Sequence, residues 1–205
     1  VNLTVFVVDD DDAIRSSLSR ALRKRGYEVE AFASAEAFLG AWNGQSGGCL
    51  ILDHGMPGMS GLELQKRLAG QDYLLPIIFI TGHGGVPESV QAIKAGAVDF
   101  LEKPFRQAVL VERIETALGI ASERLAAREG CQKTRARFDR LTAREAEIVD
   151  HMVENPSGTS SKEVGARLGI SPRTVDHHRA RIMEKLGIRS VAELIALAGR
   201  PGGQG

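Results

Sequence analysis

Residues 49–61, CLILDHGMPGMSG, open as an unbroken apolar run and stop at a carboxylate. Four apolar residues bounded by turn formers read as a strand buried on both faces. Asp53 falls at the carboxyl end of that strand, and Gly55, Pro57, Gly58 and Gly61 turn the chain into the next element. An aspartate at a strand end serves as a turn former or helix cap, or it is placed there for chemistry. The flanking segments decide between the two.

The same pattern repeats outward. LTVFVV (3–8), EVEAF (28–32), LPIIFI (75–80) and VDFL (98–101) read as four further strands. Between and after them, residues 13–27, 34–44, 60–70, 86–97 and 106–118 read as helices, the first with Ile14, Leu18, Ala21 and Leu22 on one face. Five strands alternating with five helices predict an α/β fold, a doubly wound five-stranded parallel sheet covered on both faces. From Thr142 the strand signals vanish. Residues 141–155, 160–169, 171–187 and 190–198 read as four helices, each with a Ser or Thr cap, and Gly169 and Gly187 sit where helices end. The expected division is 1–118, a linker at 119–137 that extends the last helix of the first domain, a small all-α domain at 138–199, and a disordered tail at 200–205. Gly119 offers an alternative, a break into a flexible linker.

Of the 205 residues 43% are hydrophobic and 25% charged, as in ordinary globular proteins. No apolar run approaches the roughly 18 residues that cross a membrane, and no basic-then-apolar leader pattern opens the chain. Cys49 and Cys131 have no metal or redox spacing, which predicts a reduced, cytoplasmic protein with no membrane partner. The net charge of zero divides unevenly: −4 over residues 1–118, +1 over 119–134 and +3 over 135–205. The basic end is the candidate for a polyanionic partner.

In an open parallel sheet, ligands bind beyond the carboxyl ends of the strands. The residues there are Asp9 and Asp10 after the first strand, Asp53 after the third, Thr81 after the fourth and Lys103 after the fifth. Three carboxylates at one end repel unless a cation sits among them, and hard oxygen ligands with room for water suit Mg²⁺. Asp53 is then placed as a nucleophile toward a phosphoryl group, with Thr81 and Lys103 on the phosphoryl oxygens. Asp11 and Asp12 favour the positive end of the first helix.

The motifs VVDDD, LDHGMPGMSG, ITGHG and AGAVDFLEKPF resemble the receiver domain of two-component response regulators. The C-terminal part is similar to the LuxR-type helix-turn-helix domain of the NarL/FixJ type, and the order and linker are most like the FixJ branch. The resemblance implies that Asp53 is the phosphoacceptor, loaded by a sensor histidine kinase. Asp9, Asp10, Asp53 and the Gly55 carbonyl would hold Mg²⁺. Thr81 and Phe100 would form the switch pair, and Lys103, followed in the family by a cis bond to Pro104, would contact the phosphate. Switching would act on the surface of the 86–95 helix, the VDFL strand and the next helix. Gly55 stands where many relatives carry a polar side chain, which predicts an altered aspartyl phosphate lifetime. His83, near the same mouth, is a candidate for tuning hydrolysis.

In SSKEVGARLGISPRTVDHHRARIMEKLG two short helices flank an LGIS turn, the spacing of a helix-turn-helix. Val175, Ile182 and Leu186 form the inward stripe; Arg173, Asp176, His177, Ala180 and Arg181 lie opposite. Lys162 and Arg179 are assigned to the DNA backbone, Asp176 and His177 to base readout, with Arg181 beside them. Thr174 and His178 complete the contact set. NPSGTSSKEVG is a residue or two longer than the family's usual turn and carries Gly165 in place of alanine, which predicts a tilt of the first helix of the motif. Val191, Leu194 and Ile195 form a stripe on the last helix, for a homodimer or for core packing. The expected function is a phosphorylation-switched transcription factor bound to double-stranded promoter DNA, with RNA polymerase as a further partner and no enzymatic turnover beyond self-dephosphorylation. Two rivals stand beside it. An aspartate-nucleophile phosphatase would carry D-x-D, whereas position 55 is glycine. A DNA-binding protein with a vestigial receiver would act as a constitutive dimer.

Overall fold

A computed structural model describes residues 3–44, 46–69, 75–82 and 86–199. His83 and the 200–205 tail lie outside the described residues. The chain divides into two compact units, Val1–Ala126 and Ala127–Gly205.

In the first unit, strands β1 (Thr4–Val8), β2 (Glu28–Phe32), β3 (Gly48–Asp53), β4 (Ile77–Thr81) and β5 (Asp99–Glu102) form one sheet in the order β2-β1-β3-β4-β5. Every pairing is parallel. Helices α1 (Asp12–Arg23), α2 (Ala35–Ala41), α3 (Gly61–Ala69) and α4 (Val86–Lys94) alternate with the strands, and α5 (Gln107–Phe138) follows them.

The period-two alternation of side chains sorts the apolar residues into two cores. Phe6, Val8, Leu50, Leu52 and Phe79 pack with Phe38 of α2 and Leu64 of α3. Val5, Val7, Ile51, Ile78 and Ile80 face the other way, onto Leu22 of α1 and Leu110 and Ile114 of α5. Each fully buried side chain of this size contributes about 1.5–3 kcal/mol, so the central strands, apolar on both sides, hold their carboxyl ends rigidly. α5 runs through Gly119 without a break. The cost of that glycine, about 1 kcal/mol relative to alanine, is small against a helix anchored by Leu110, Ile114, Ala117 and Ala121.

The second unit contains helices α6 (Ala143–Glu154), α7 (Ser161–Leu168), α8 (Pro172–Leu186) and α9 (Val191–Ala198). Thr142, Ser160, Ser171 and Ser190 cap them, the first two in full capping boxes with Glu145 and Glu163. Ile148, Met152, Val164, Val175, Ile182, Leu186 and Leu194 form the core. The α9 stripe is therefore largely internal: Leu194 is 1% exposed, and Val191 is half-buried against the same core.

Candidate functional site

The run Asp9–Asp12 is divided by the start of α1. Asp11 caps the helix, accepting from the backbone of Ala13 and Ile14 at 2.8 and 3.1 Å. Asp12 pairs with Arg15 at 2.6 Å. Arg15 also donates to the carbonyl of Asp9 at 2.8 Å, fixing the acidic turn from the next helical turn. Asp9 is fully buried and Asp10 is exposed.

Lys103 Nζ donates to Asp9 Oδ2 at 2.9 Å and to Asp53 Oδ1 at 2.8 Å. The three groups come from β1, β3 and the end of β5, brought together by the strand order alone. Burial pushes Asp9 above the ordinary carboxylate range, against the pull of Lys103. For Lys103 burial acts downward, but hydrogen bonds and the charges of Asp53 and Asp9 outweigh it and hold the ammonium firmly protonated. The Lys103–Pro104 bond is cis. A cleft of about 400 Å³ between α1 and residues 103–105 opens beside the lysine.

The loop after Asp53 is held from three sides. Gly55 N donates to Asp53 Oδ2 at 2.8 Å. Met59 N donates to Glu36 Oε1 on α2 at 3.0 Å, and the carboxylate's hydrogen bond to its own backbone N–H, with the Met59 one behind it, lowers the Glu36 pKa. Gly61 allows α3 to start against the strand: a Cβ there would lie 2.5 Å from Asp53 O and 2.9 Å from the Phe79 ring. Glu36 carries no sequence signal for this role, because it acts across the fold on a loop 23 residues away, whereas Arg15 acts within its own segment, on a carbonyl six residues back. Gly61 had a signal, a glycine in the first turn of a helix where most residues would serve.

Thr81 is 2% exposed, and its carbonyl accepts from Lys103 N at 2.7 Å. Phe100 is half-buried, its ring 6.0 Å from Phe79 and 6.1 Å from His54. The site thus brings Asp9, Asp53 and Lys103 into contact, with Thr81 one strand away and Asp10 facing solvent. Among the described residues no three Asp, Glu, His or Cys side chains stand at metal-holding distances.

In the second unit, Gly169 at φ +67° turns α7 into α8. Gly165 lets the two helices close, since a Cβ there would meet Ile170 O at 2.7 Å. Lys162, Arg173, Thr174, Asp176, His177 and Arg181 are exposed, whereas His178 and Arg179 are half-buried. Their bonding separates them. Arg179 donates to Thr159 O at 2.8 Å and Ser161 Oγ at 3.3 Å, and Asp176 accepts from the Ser161 hydroxyl. These two side chains tie α8 to the start of α7 and to the long turn before it. The Thr174 hydroxyl meets the Ser171 cap at 2.8 Å. Lys162, Arg173, His177 and Arg181 make no side-chain hydrogen bond or ion pair among the described residues.

The chain matches the response regulator receiver domain over residues 5–115 and the luxR family of bacterial regulatory proteins over residues 139–198. It is 41% identical to transcriptional regulatory protein FixJ of Bradyrhizobium diazoefficiens, over 97% of this chain and 95% of that protein. It is 40% identical to response regulator protein TmoT of Ectopseudomonas mendocina, over 96% of this chain and 88% of the relative. Among solved structures, response regulator StyR matches with a TM-score of 0.85 at 43% identity, covering 98% of this chain and 100% of the other. The chain belongs to the response regulators, as a phosphorylation-dependent transcription regulator that joins a receiver domain to a luxR-type DNA-binding domain.

Proposed function

We propose that Asp53 is the phosphoacceptor and that the receiver is active rather than vestigial. The observation that carries this reading is the Lys103 ammonium shared by two buried carboxylates at the carboxyl edge of the sheet. Like charges buried side by side cost stability, and nothing in the packing of the sheet requires them. Attack by an Asp53 oxygen on the phosphorus of a phosphohistidine forms the O–P bond as the P–N bond breaks, and the freed imidazole takes up a proton. Lys103 follows the charge from carboxylate to phosphoryl oxygen, and the Thr81 hydroxyl supplies a second donor. Hydrolysis of the acyl phosphate by water resets the site without an external substrate.

The donor set fits Mg²⁺. Asp9 and Asp53 present hard oxygens around a single ammonium, which leaves a net negative charge, and Asp10 adds an exposed carboxylate beside them. Mg²⁺ keeps several waters, so a carboxylate of this set, the exposed Asp10 first, can act through a bound water and the three need not all reach the ion directly. Asp9, Asp10, Asp53 and the Gly55 carbonyl would hold it, and when bound it would neutralise the entering phosphoryl group.

The domains are assigned to 1–118, a linker at 119–137 and 138–199. The phosphodonor is a sensor histidine kinase, and the response runs through Thr81 and Phe100 to a homodimer bound at promoter DNA, where RNA polymerase is met. No helix among the described residues is long and apolar enough to cross a membrane, and we place the protein in the cytoplasm. Intact-mass analysis with a small acyl phosphate donor tests the core of this reading. One phosphoryl adduct is expected in wild type with Mg²⁺, none in Asp53→Ala and none in EDTA. An adduct that survives Asp53→Ala would overturn it.

A further inference from the structure

A helix with its side chains is about 10–12 Å across and the major groove about 12 Å wide. A recognition helix therefore presents its outer face to base edges and its two flanks to the phosphate walls. On α8 the outer face holds Arg173, His177 and Ala180. One flank is tied down from within, because Asp176 accepts from the Ser161 hydroxyl and Arg179 Nη1 donates to Thr159 O and Ser161 Oγ.

The other flank opens into a cleft of about 450 Å³ lined by Arg140, Thr142, His178, Arg181 and Glu184, with the Glu145–Lys185 pair in its wall. Lys185 is neutralised by Glu145 at 2.5 Å. Arg140 and Arg181 have no carboxylate partner among the described residues. His178 Nδ1 is buried there without a hydrogen-bond partner. Two unpaired guanidinia lining one cleft make a seat for an anion with several acceptor oxygens. Glu184 on the rim tempers the positive field, so a monoanionic phosphodiester suits the cleft better than a polyanion.

We propose that this cleft seats one backbone phosphate of duplex DNA, shared by Arg140 and Arg181. The proposal rests on the reading of the second unit as a DNA-binding domain. Its test uses the full chain and a mixed-sequence duplex, with binding followed by fluorescence anisotropy from low to moderate salt. Arg140→Ala, Arg181→Ala, the double variant and the charge control Arg124→Ala, on an exposed stretch of α5, are compared with wild type. Each lost phosphate contact lowers the slope of log K against log salt by about 0.9. Both single variants are expected to weaken binding evenly on all sequences, and the double variant to lose about 0.9 for each bound chain, with Arg124→Ala matching wild type. An Arg140→Ala protein with the wild-type slope and affinity overturns the seat, and a loss near 1.8 for each bound chain in the double variant overturns the sharing. Wild type that binds no duplex even at low salt removes the DNA-binding reading itself. Inorganic phosphate that shifts the His178 resonances while duplex does not would make the cleft a free-anion site and also overturn the proposal.

Discussion

Lys103 balances one ammonium against two carboxylates that the sheet holds in place. Replacing it by alanine leaves Asp9 and Asp53 facing each other at only 0% and 6% exposure, which costs about 3 kcal/mol at neutral pH. Thermal unfolding followed at the receiver checks this, and added Mg²⁺ is expected to restore part of the loss while EDTA takes it away. Asp53→Asn has the opposite sign. It keeps the Asp9–Lys103 pair at 2.9 Å and removes the repulsion, so the fold holds or gains stability as phosphorylation vanishes. A receiver that melts earlier in Asp53→Asn than in wild type would show that this charge supports the fold. Gly55 concerns lifetime rather than stability. A Cβ there would lie 3.9 Å from Asp53 Oδ2, an ordinary contact, so asparagine fits without strain. Its carboxamide would sit where it can orient an attacking water, and the half-life of the acyl phosphate should shorten by about threefold or more. An unchanged half-life in Gly55→Asn would sink that account.

Among the elements, α6 depends on a single side chain. Glu145 is 1% exposed, yet its carboxylate accepts from Lys185 Nζ at 2.5 Å and from Thr142 N at 2.8 Å. The Lys185 hydrogen bond, with the Thr142 backbone behind it, holds the pKa down to about 2 from an ordinary 4.5. A carboxylate lowered on folding stabilises above its unfolded value and loses that contribution as pH falls through the folded one. The second unit should therefore loosen between about pH 4.5 and about pH 2, read from the methyl resonances of Ile148 and Met152. Glu145→Gln should remove that pH dependence and cost about 2 kcal/mol at neutral pH. A variant that keeps the acid transition places its origin elsewhere. Elements of this kind are legible in a sequence when their signal is local. Unbroken apolar runs alternating with helices were enough to place five parallel strands, Ser and Thr caps with glycine stops placed the four C-terminal helices, and strand ends alone named Asp9, Asp10, Asp53, Thr81 and Lys103. Contacts made across the fold leave no such trace. Glu36 reaching Met59 and Arg179 turning back onto Thr159 depend on how helices lie against loops distant in sequence. That is why Arg179 and Asp176, exposed-looking on a helical wheel, are engaged in holding the motif together.

For the whole molecule, the consequence of phosphorylation has to leave the site through a surface. Among the described residues the large exposed apolar side chains are Val90 and Ile93, both on α4, beside the strand that carries Phe100. Apolar side chains left in water on a helix beside β5 are a surface whose burial a small shift can control. The unphosphorylated chain should be a monomer by light scattering. With Mg²⁺ and beryllofluoride, a mimic of the phosphoryl group, wild type should shift to the mass of a dimer, while Asp53→Ala stays monomeric under the same additions. Ile93→Glu separates the chemistry from its consequence, since it should take up a phosphoryl group at the wild-type rate and still fail to dimerise. Dimerisation of Ile93→Glu would move the responsive surface away from α4. A wild-type mass that never changes would mean a receiver that no longer signals through assembly, and the DNA-binding unit would then have to act as it stands.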